Sequence, residues 1–388
     1  MNKICIYLCI LIYVTAVLAC GNKTEVKEIK VEVSQDSIVE IPPIDTFAYD
    51  GFNSVAYILA GKQPLDSNLF QNVINSKEFA NHKSLMENKW GSHKTKLDII
   101  TDWSDEHIVS ADTVFYPFGG PDFNYLAAFF PDCRFSVLIG LEKGGKIPFS
   151  DSLSIAKYPE IFTAITSSVA SNLEFSFFRT NSMAKDLAGY LEGTLPIIMM
   201  FMSRHNFEII NINPVFINNQ GYFEYVDKER IYDHSLNKDF EDSFEIIYKK
   251  ENEDFHRKLY YFSMDLSDSE LNKQSFSLMM QNYFVEKTCF LKAASYLLDR
   301  PQFSEMKKMI LDNCNVIITG PSGMPYNAFN DSWDIELYGN YIGPCNLFSG
   351  RQQPELKEAY LKGNPSKINF KFDYHATHHS LIIARKKN

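Results

Sequence analysis

Val114-Phe115-Tyr116-Pro117-Phe118-Gly119-Gly120-Pro121-Asp122-Phe123 reads as the end of a β-strand, a turn on paired glycines and the start of a helix. The β-branched and aromatic residues of Val114–Phe118 suit a pleated, half-buried surface. Pro121 fits a first helical position, where no amide hydrogen is needed, and Asp122 complements the positive end of the helix dipole. A strand that ends this way places its loop at the carboxyl edge of a sheet, where α/β proteins hold ligands. Tyr116 and Asp122 are therefore candidate site residues. An acidic residue at that helix end competes with a phosphate, so the loop does not read as a phosphate cradle. The competing reading is a tight strand–helix corner in which Asp122 only complements the dipole.

Working outward, Phe123–Phe130 reads as a short aromatic helix and Phe135–Leu141 as a buried strand. Upstream, Phe52–Gly61 and Asn68–Trp90 have helical spacing, with Leu69, Val73, Phe79 and Leu85 as buried candidates. Asp151–Ser171 and Ser182–His205 read as helices, with Pro159 a break in the first and Pro196 a kink in the second. Phe207–Asn213, Pro214–Asn218 and Tyr222–Val226 are short strands around an Asn218–Gly221 turn, and Phe244–Lys249 pairs with Leu259–Leu266. Ser267–Phe284, Thr288–Leu298 and Gln302–Asp312 read as three helices in series, the first opened by a Ser267/Glu270 capping box. Strands at Val316–Thr319 and Trp333–Tyr338 flank Gly320-Pro321-Ser322-Gly323; a helix at Glu355–Leu361 and a strand at Ser380–Arg385 end the chain. Strands occur both singly between helices and in adjacent hairpins. The expected class is α+β, a mixed α/β sheet with hairpins and flanking helices, in one body large enough for two lobes.

The 388 residues carry a formal net charge of −10. An acidic chain is a poor partner for nucleic acid, where affinity comes from Lys and Arg on phosphates. The 14% aromatic content suits a sheet-containing core. No C-x-x-C pair signals a redox or zinc site. Cys133, Cys289, Cys314 and Cys345 allow three disulfide pairings, and buried free thiols are the simpler reading.

Met1–Cys20 (MNKICIYLCILIYVTAVLAC) has one early charge, Lys3, then a charge-free apolar run and a cysteine. It reads as an export leader, too short for a bilayer span of roughly 20 apolar residues. Val17-Leu18-Ala19-Cys20 resembles the lipobox of bacterial lipoproteins. That resemblance implies cleavage before Cys20, lipidation of Cys20, and attachment to a bacterial membrane, the outer favoured over the inner. More than one acyl chain would hold the protein stably. The organisation expected is a leader over residues 1–19, Cys20 and a polar tether over 20–45, and a globular body over 46–388.

No G-x-S-x-G, H-E-x-x-H, Walker loop or G-x-G-x-x-G occurs. Gly320-Pro321-Ser322-Gly323 maps onto a β-turn better than onto a nucleophile elbow. Asp373, His375, His378 and His379 gather imidazoles beside a carboxylate; Asp373, His375 and His379 are the ligands if a transition metal binds. Arg179 follows an aromatic run and could clamp an anion. The segments YPFGGPDF, FFPD and VLIGLE resemble stretches of an uncharacterised family of bacterial exported proteins, which implies no activity. The expected function is an anchored envelope protein with a binding or structural role, its partner an envelope protein or a small molecule. The alternative is an envelope hydrolase or metal-dependent enzyme with a pocket near Tyr116–Asp122. Cofactors are not indicated by any motif. For the anchor, Cys20→Ala is expected to release the protein from membranes or leave the leader uncut; full membrane retention with normal processing, seen on fractionation, would contradict the lipobox.

Overall fold

The computed structural model describes residues 46–64, 70–148, 157–165, 191, 193–226, 243–251, 253–375 and 377–387. The leader, Cys20, the tether and Arg179 lie outside them, as does most of the sequence between Asp151 and Tyr190. The described residues fall within one compact unit, Ile44–Asn388.

In chain order the elements are α1 (Thr46–Leu59), α2 (Gln71–Ile74), α3 (Lys77–His107), β1 (Thr113–Tyr116), α4 (Phe123–Phe129) and β2 (Phe135–Gly140). Next come α5 (Leu195–Arg204), β3 (Phe207–Ile217), β4 (Phe223–Tyr225), β5 (Ser243–Lys250), β6 (Arg257–Ser263) and α6 (Lys273–Tyr283). The chain continues through β7 (Thr288–Leu291), α7 (Ser304–Asn313), β8 (Val316–Thr319), β9 (Trp333–Gly339), α8 (Pro354–Lys362) and β10 (Ser380–Lys386). Residues 158–165 are also helical.

The strands form one sheet in the order β4-β3-β5-β6-β2-β1-β7-β8-β10-β9. Its five central strands, β6 to β8, are parallel. Both arms are antiparallel. The fold is thus α+β, a mixed sheet with hairpins and flanking helices. Numbered by their succession, the parallel strands lie 3-2-1-4-5. The chain winds first to one side of β1 and then to the other, so the reversal falls between β1 and β7. In open sheets of this kind the crevice outside the carboxyl ends at that reversal is the usual ligand position.

Alternation along the strands divides two apolar layers. Val114, Tyr116, Leu138, Phe290 and Ile318 face α1, α3, α4 and α5. Phe115, Val137, Ile139, Cys289, Leu291 and Ile317 face α6 and α7. Cys133, Cys289 and Cys314 are buried free thiols and Cys345 is half-buried. Among the described residues no helix is long and apolar enough to cross a membrane.

The sequence reading is corrected at several elements. α3 runs on from Trp90 to His107, because the buried stripe Phe79, His82, Met86, Trp90, His93, Leu97, Ile100 and Trp103 never breaks its helical spacing. That stripe turns Leu85 outward at 43% exposure, and Met86 takes the core position at 2%. Pro196 lies in the first turn of α5, not at a kink. α6 begins at Lys273, capped by Asn272, whose side chain accepts from Ser275 N. Ser267 and Glu270 form no capping box: Ser267 N donates to Asp265 Oδ1 at 2.8 Å, and Ser267 Oγ pairs with Ser269 Oγ at 3.2 Å. β3 is one strand, with a register shift at Ile209/Asn211. The largest change is β7: Thr288–Leu291 is a buried strand, not the start of a helix. A four-residue apolar run enclosed on both faces has no periodicity that separates strand from helix.

Candidate functional site

β1 delivers Tyr116 to the carboxyl edge, and the chain then turns through Phe118, Gly119 and Gly120 into α4. A side chain at Gly119 would press into the Tyr116 ring at 2.7 Å, and Gly120 has φ +55°. The turn ends on Asp122, which is 3% exposed. Its carboxylate accepts from Tyr125 N at 3.3 Å as the helix cap and from the Tyr116 hydroxyl at 2.8 Å. The third partner is Lys292, one residue beyond β7, whose Nζ stands 3.1 Å from Asp122 Oδ2 and is fully buried. The ammonium also lies 3.4 Å from the centroid of the Tyr125 ring, whose negative face favours it. Burial lowers the Lys292 pKa and Asp122 opposes that shift. Burial, reinforced by Asp122, holds the Tyr116 phenol well above its ordinary value, so it stays a donor.

Above this group lies a cavity of about 190 Å³ between the carboxyl ends of β1, β2, β6 and β7. Its floor is Gly119, Gly120 and Gly140, and Glu142, Asp265 and Tyr374 are polar groups on its wall. Oε2 of Glu142 lies 2.7 Å from the point a Gly140 Cβ would occupy, and Gly120 Cα lies 2.9 Å from that point. Any side chain at Gly140 would therefore collide with the carboxylate and with the β1 loop. The Glu142 backbone is pinned by the Tyr261 hydroxyl, which donates to its carbonyl at 2.6 Å. Three non-glycine residues at the cavity or next to its wall take left-handed backbone: Phe118 (φ 63°), Ser295 (φ 51°) and Tyr296 (φ 57°). Such conformations cost energy in aromatic residues and cluster where a site is held open or shaped.

The segment Asp373–His379 meets this cavity through a residue the sequence did not single out. Tyr374 donates to Ala293 O at 2.6 Å and its hydroxyl pairs with Ser295 Oγ at 2.8 Å, bracing the loop after β7. The Asp373 carboxylate is buried in its own turn, accepting from His375 N, Ser380 N and the Ser380 hydroxyl. His375 Nδ1 accepts from Thr377 N and His378 N. Among the described residues, no three His, Cys, Asp or Glu side chains gather as metal ligands. Gly320–Gly323 forms the expected turn, Gly323 N donating to Gly320 O at 3.0 Å, and Ser322 O accepts from Tyr296 N at 2.7 Å. That turn supports the β7 loop from behind.

The structure thus brings Tyr116 and Asp122 together and sets Asp373, His375 and His379 apart from them. Lys292 and Glu142 were missed. Lys292 was hidden by the helical reading of Thr288–Leu298. Glu142 had a usable signal, an acidic residue just past a buried strand and about 20 residues after paired glycines. Comparison with protein-family models, curated proteins and solved structures finds no match.

Burial pushes the Asp373 carboxyl up to about 6 from an ordinary 3.8, against the hydrogen bonds it accepts. A carboxyl with a raised folded pKa favours folding in its protonated form. Its contribution is full below about pH 4 and is lost as pH rises through about 6. Asp373→Asn, which stays neutral, should remove a pH-dependent difference of about 2 kcal/mol between pH 4 and pH 7 in urea unfolding. Parallel pH profiles for both proteins would contradict this.

Proposed function

We propose that the chain is an exported protein, lipid-anchored at Cys20 to a bacterial membrane, whose α+β body binds a small molecule in the cavity over the β1–β7 reversal. The observation that carries the reading is the coincidence of that cavity with the position where open parallel sheets hold ligands. Its base is fixed by a buried ion pair and its wall offers polar groups above a glycine floor.

The same geometry favours binding over hydrolysis. Tyr116 donates to Asp122, and Asp122 also accepts from Lys292, so neither is presented as a nucleophile or base. Ser295 pairs with a tyrosine hydroxyl, which cannot serve as its general base at neutral pH. Among the described residues the cavity is also lined without Lys or Arg, so it offers no cation to a phosphate. A second cavity of about 410 Å³ lies on the far side of Met264 and Asp265, against β3 and α6. It is away from the reversal, and no strained backbone frames it.

Ala293 lines the first cavity, and Ala293→Trp would fill it. In a thermal-shift survey of small metabolites on the purified body, at least one compound should raise the midpoint of the parent and not of Ala293→Trp. At 100 times its Kd such a ligand adds about 2.7 kcal/mol, a shift of several degrees. A survey in which every stabilising compound acts equally on Ala293→Trp would overturn the cavity assignment.

A further inference from the structure

We infer that the ligand of this cavity is an unphosphorylated ribonucleoside, free or as the end of a larger neutral or cationic molecule, held by its ribose diol on Glu142. The inference rests on the small-molecule reading of the same cavity and adds its chemistry.

The first argument is the fate of the anion seat. In doubly wound nucleotide-binding sheets, a phosphate sits on the helix that follows the first strand. Here that place belongs to the protein's own carboxylate, because Asp122 accepts from Tyr125 N. The second is charge. Among the described residues the lining includes Asp122, Glu142 and Asp265 but no Lys, Arg or His. Lys292 neutralises Asp122, whereas the Glu142 carboxylate has no hydrogen-bond or ion-pair partner among the described residues. A phosphate would enter against uncompensated negative charge, while a neutral or cationic group would not.

The third argument is position. Glu142 follows the second parallel strand about 20 residues after the glycine pair, the place from which an acidic residue holds ribose hydroxyls in such sheets. Its carboxylate leans over Gly140 towards Gly120, so a sugar on the glycine floor would present its hydroxyls to it. Two carboxylate oxygens match two vicinal donors, and charged acceptors make the stronger hydrogen bonds. Beside it, Leu266, Leu297 and Phe303 provide an apolar wall for a base.

The test is calorimetric titration of the lipidated, detergent-solubilised protein with adenosine, guanosine, cytidine and uridine, then with the 2′-deoxy and 5′-monophosphate forms of whichever binds. At least one ribonucleoside should bind, and removing the 2′-hydroxyl or introducing Glu142→Gln should each weaken it about ten- to a hundredfold. Combined, the two changes should cost little more than either alone, because they remove the same contact. The 5′-monophosphate should bind less tightly than the nucleoside to the parent, and this penalty should shrink in Glu142→Gln. Circular dichroism of Glu142→Gln should match the parent, since the side chain is half-buried and partner-free. If no ribonucleoside binds, or deoxy forms bind equally, the nucleoside assignment fails. The cavity reading would still stand if other compounds respond to Ala293→Trp, so the two failures are distinguishable.

Discussion

One carboxylate ties the centre of the molecule together. Asp122 caps α4, receives the Tyr116 hydroxyl from the end of β1 and neutralises Lys292 from the end of β7. Burying an ammonium and a carboxylate costs several kcal/mol per ion, and their attraction offsets this only with good geometry and further hydrogen bonds. Here those extra partners are present: a backbone amide, a phenol and an aromatic face. The pair is consequently a weak source of net stability but a strong constraint on placement. Displacing either strand end would leave a charge buried alone, so β1, α4 and β7 keep one relative position.

That constraint sits where the winding of the sheet reverses. β1 hands the chain to α4 and β2 on one side, while β7 hands it towards α7 and β8 on the other, leaving a crevice between diverging loops. Pairing Asp122 with Lys292 below the crevice leaves Glu142 and Asp265 as the uncompensated charges among the described residues that line it. Strained backbone at Phe118, Ser295 and Tyr296 shapes the walls, and the Ser295–Tyr296 part is held by Tyr374 from one side and the Gly320–Gly323 turn from the other. The base beneath the small cavity is thus held by Asp122 and its three partners, Tyr125 N, the Tyr116 hydroxyl and Lys292.

How much of this could be read in the residues varied with the physics of each segment. The turn after β1 was legible because Gly-Gly-Pro-Asp has few alternative conformations, and the hairpin strands were legible because alternation is visible in them. Met86 and Leu85 exchanged places because a one-residue phase error on a long helix turns a core position to solvent. β7 was illegible for a different reason. Thr288–Leu291 is enclosed by β1, β8 and helices on both faces, so its apolar run has no pattern, and the tertiary context alone makes it a strand. Losing β7 meant losing the reversal, and with it the reason to look at Lys292 and Glu142. The histidines of Asp373–His379 drew attention by composition, yet Asp373 and His375 serve local backbone hydrogen bonds and Tyr374 makes the contact that matters.

The central claim, that the Asp122–Lys292 pair locks the strand ends around the cavity, is tested most directly by a double-mutant cycle. Urea unfolding of Asp122→Asn, Lys292→Met and the double variant would measure it, Asn retaining an oxygen for Tyr125 N and the Tyr116 hydroxyl. Each single change should cost about 3 kcal/mol or more, because it leaves one buried charge unpaired, and the double should cost far less than their sum. Single losses that add to within about 0.5 kcal/mol would mean that the two groups act independently, and would contradict the account.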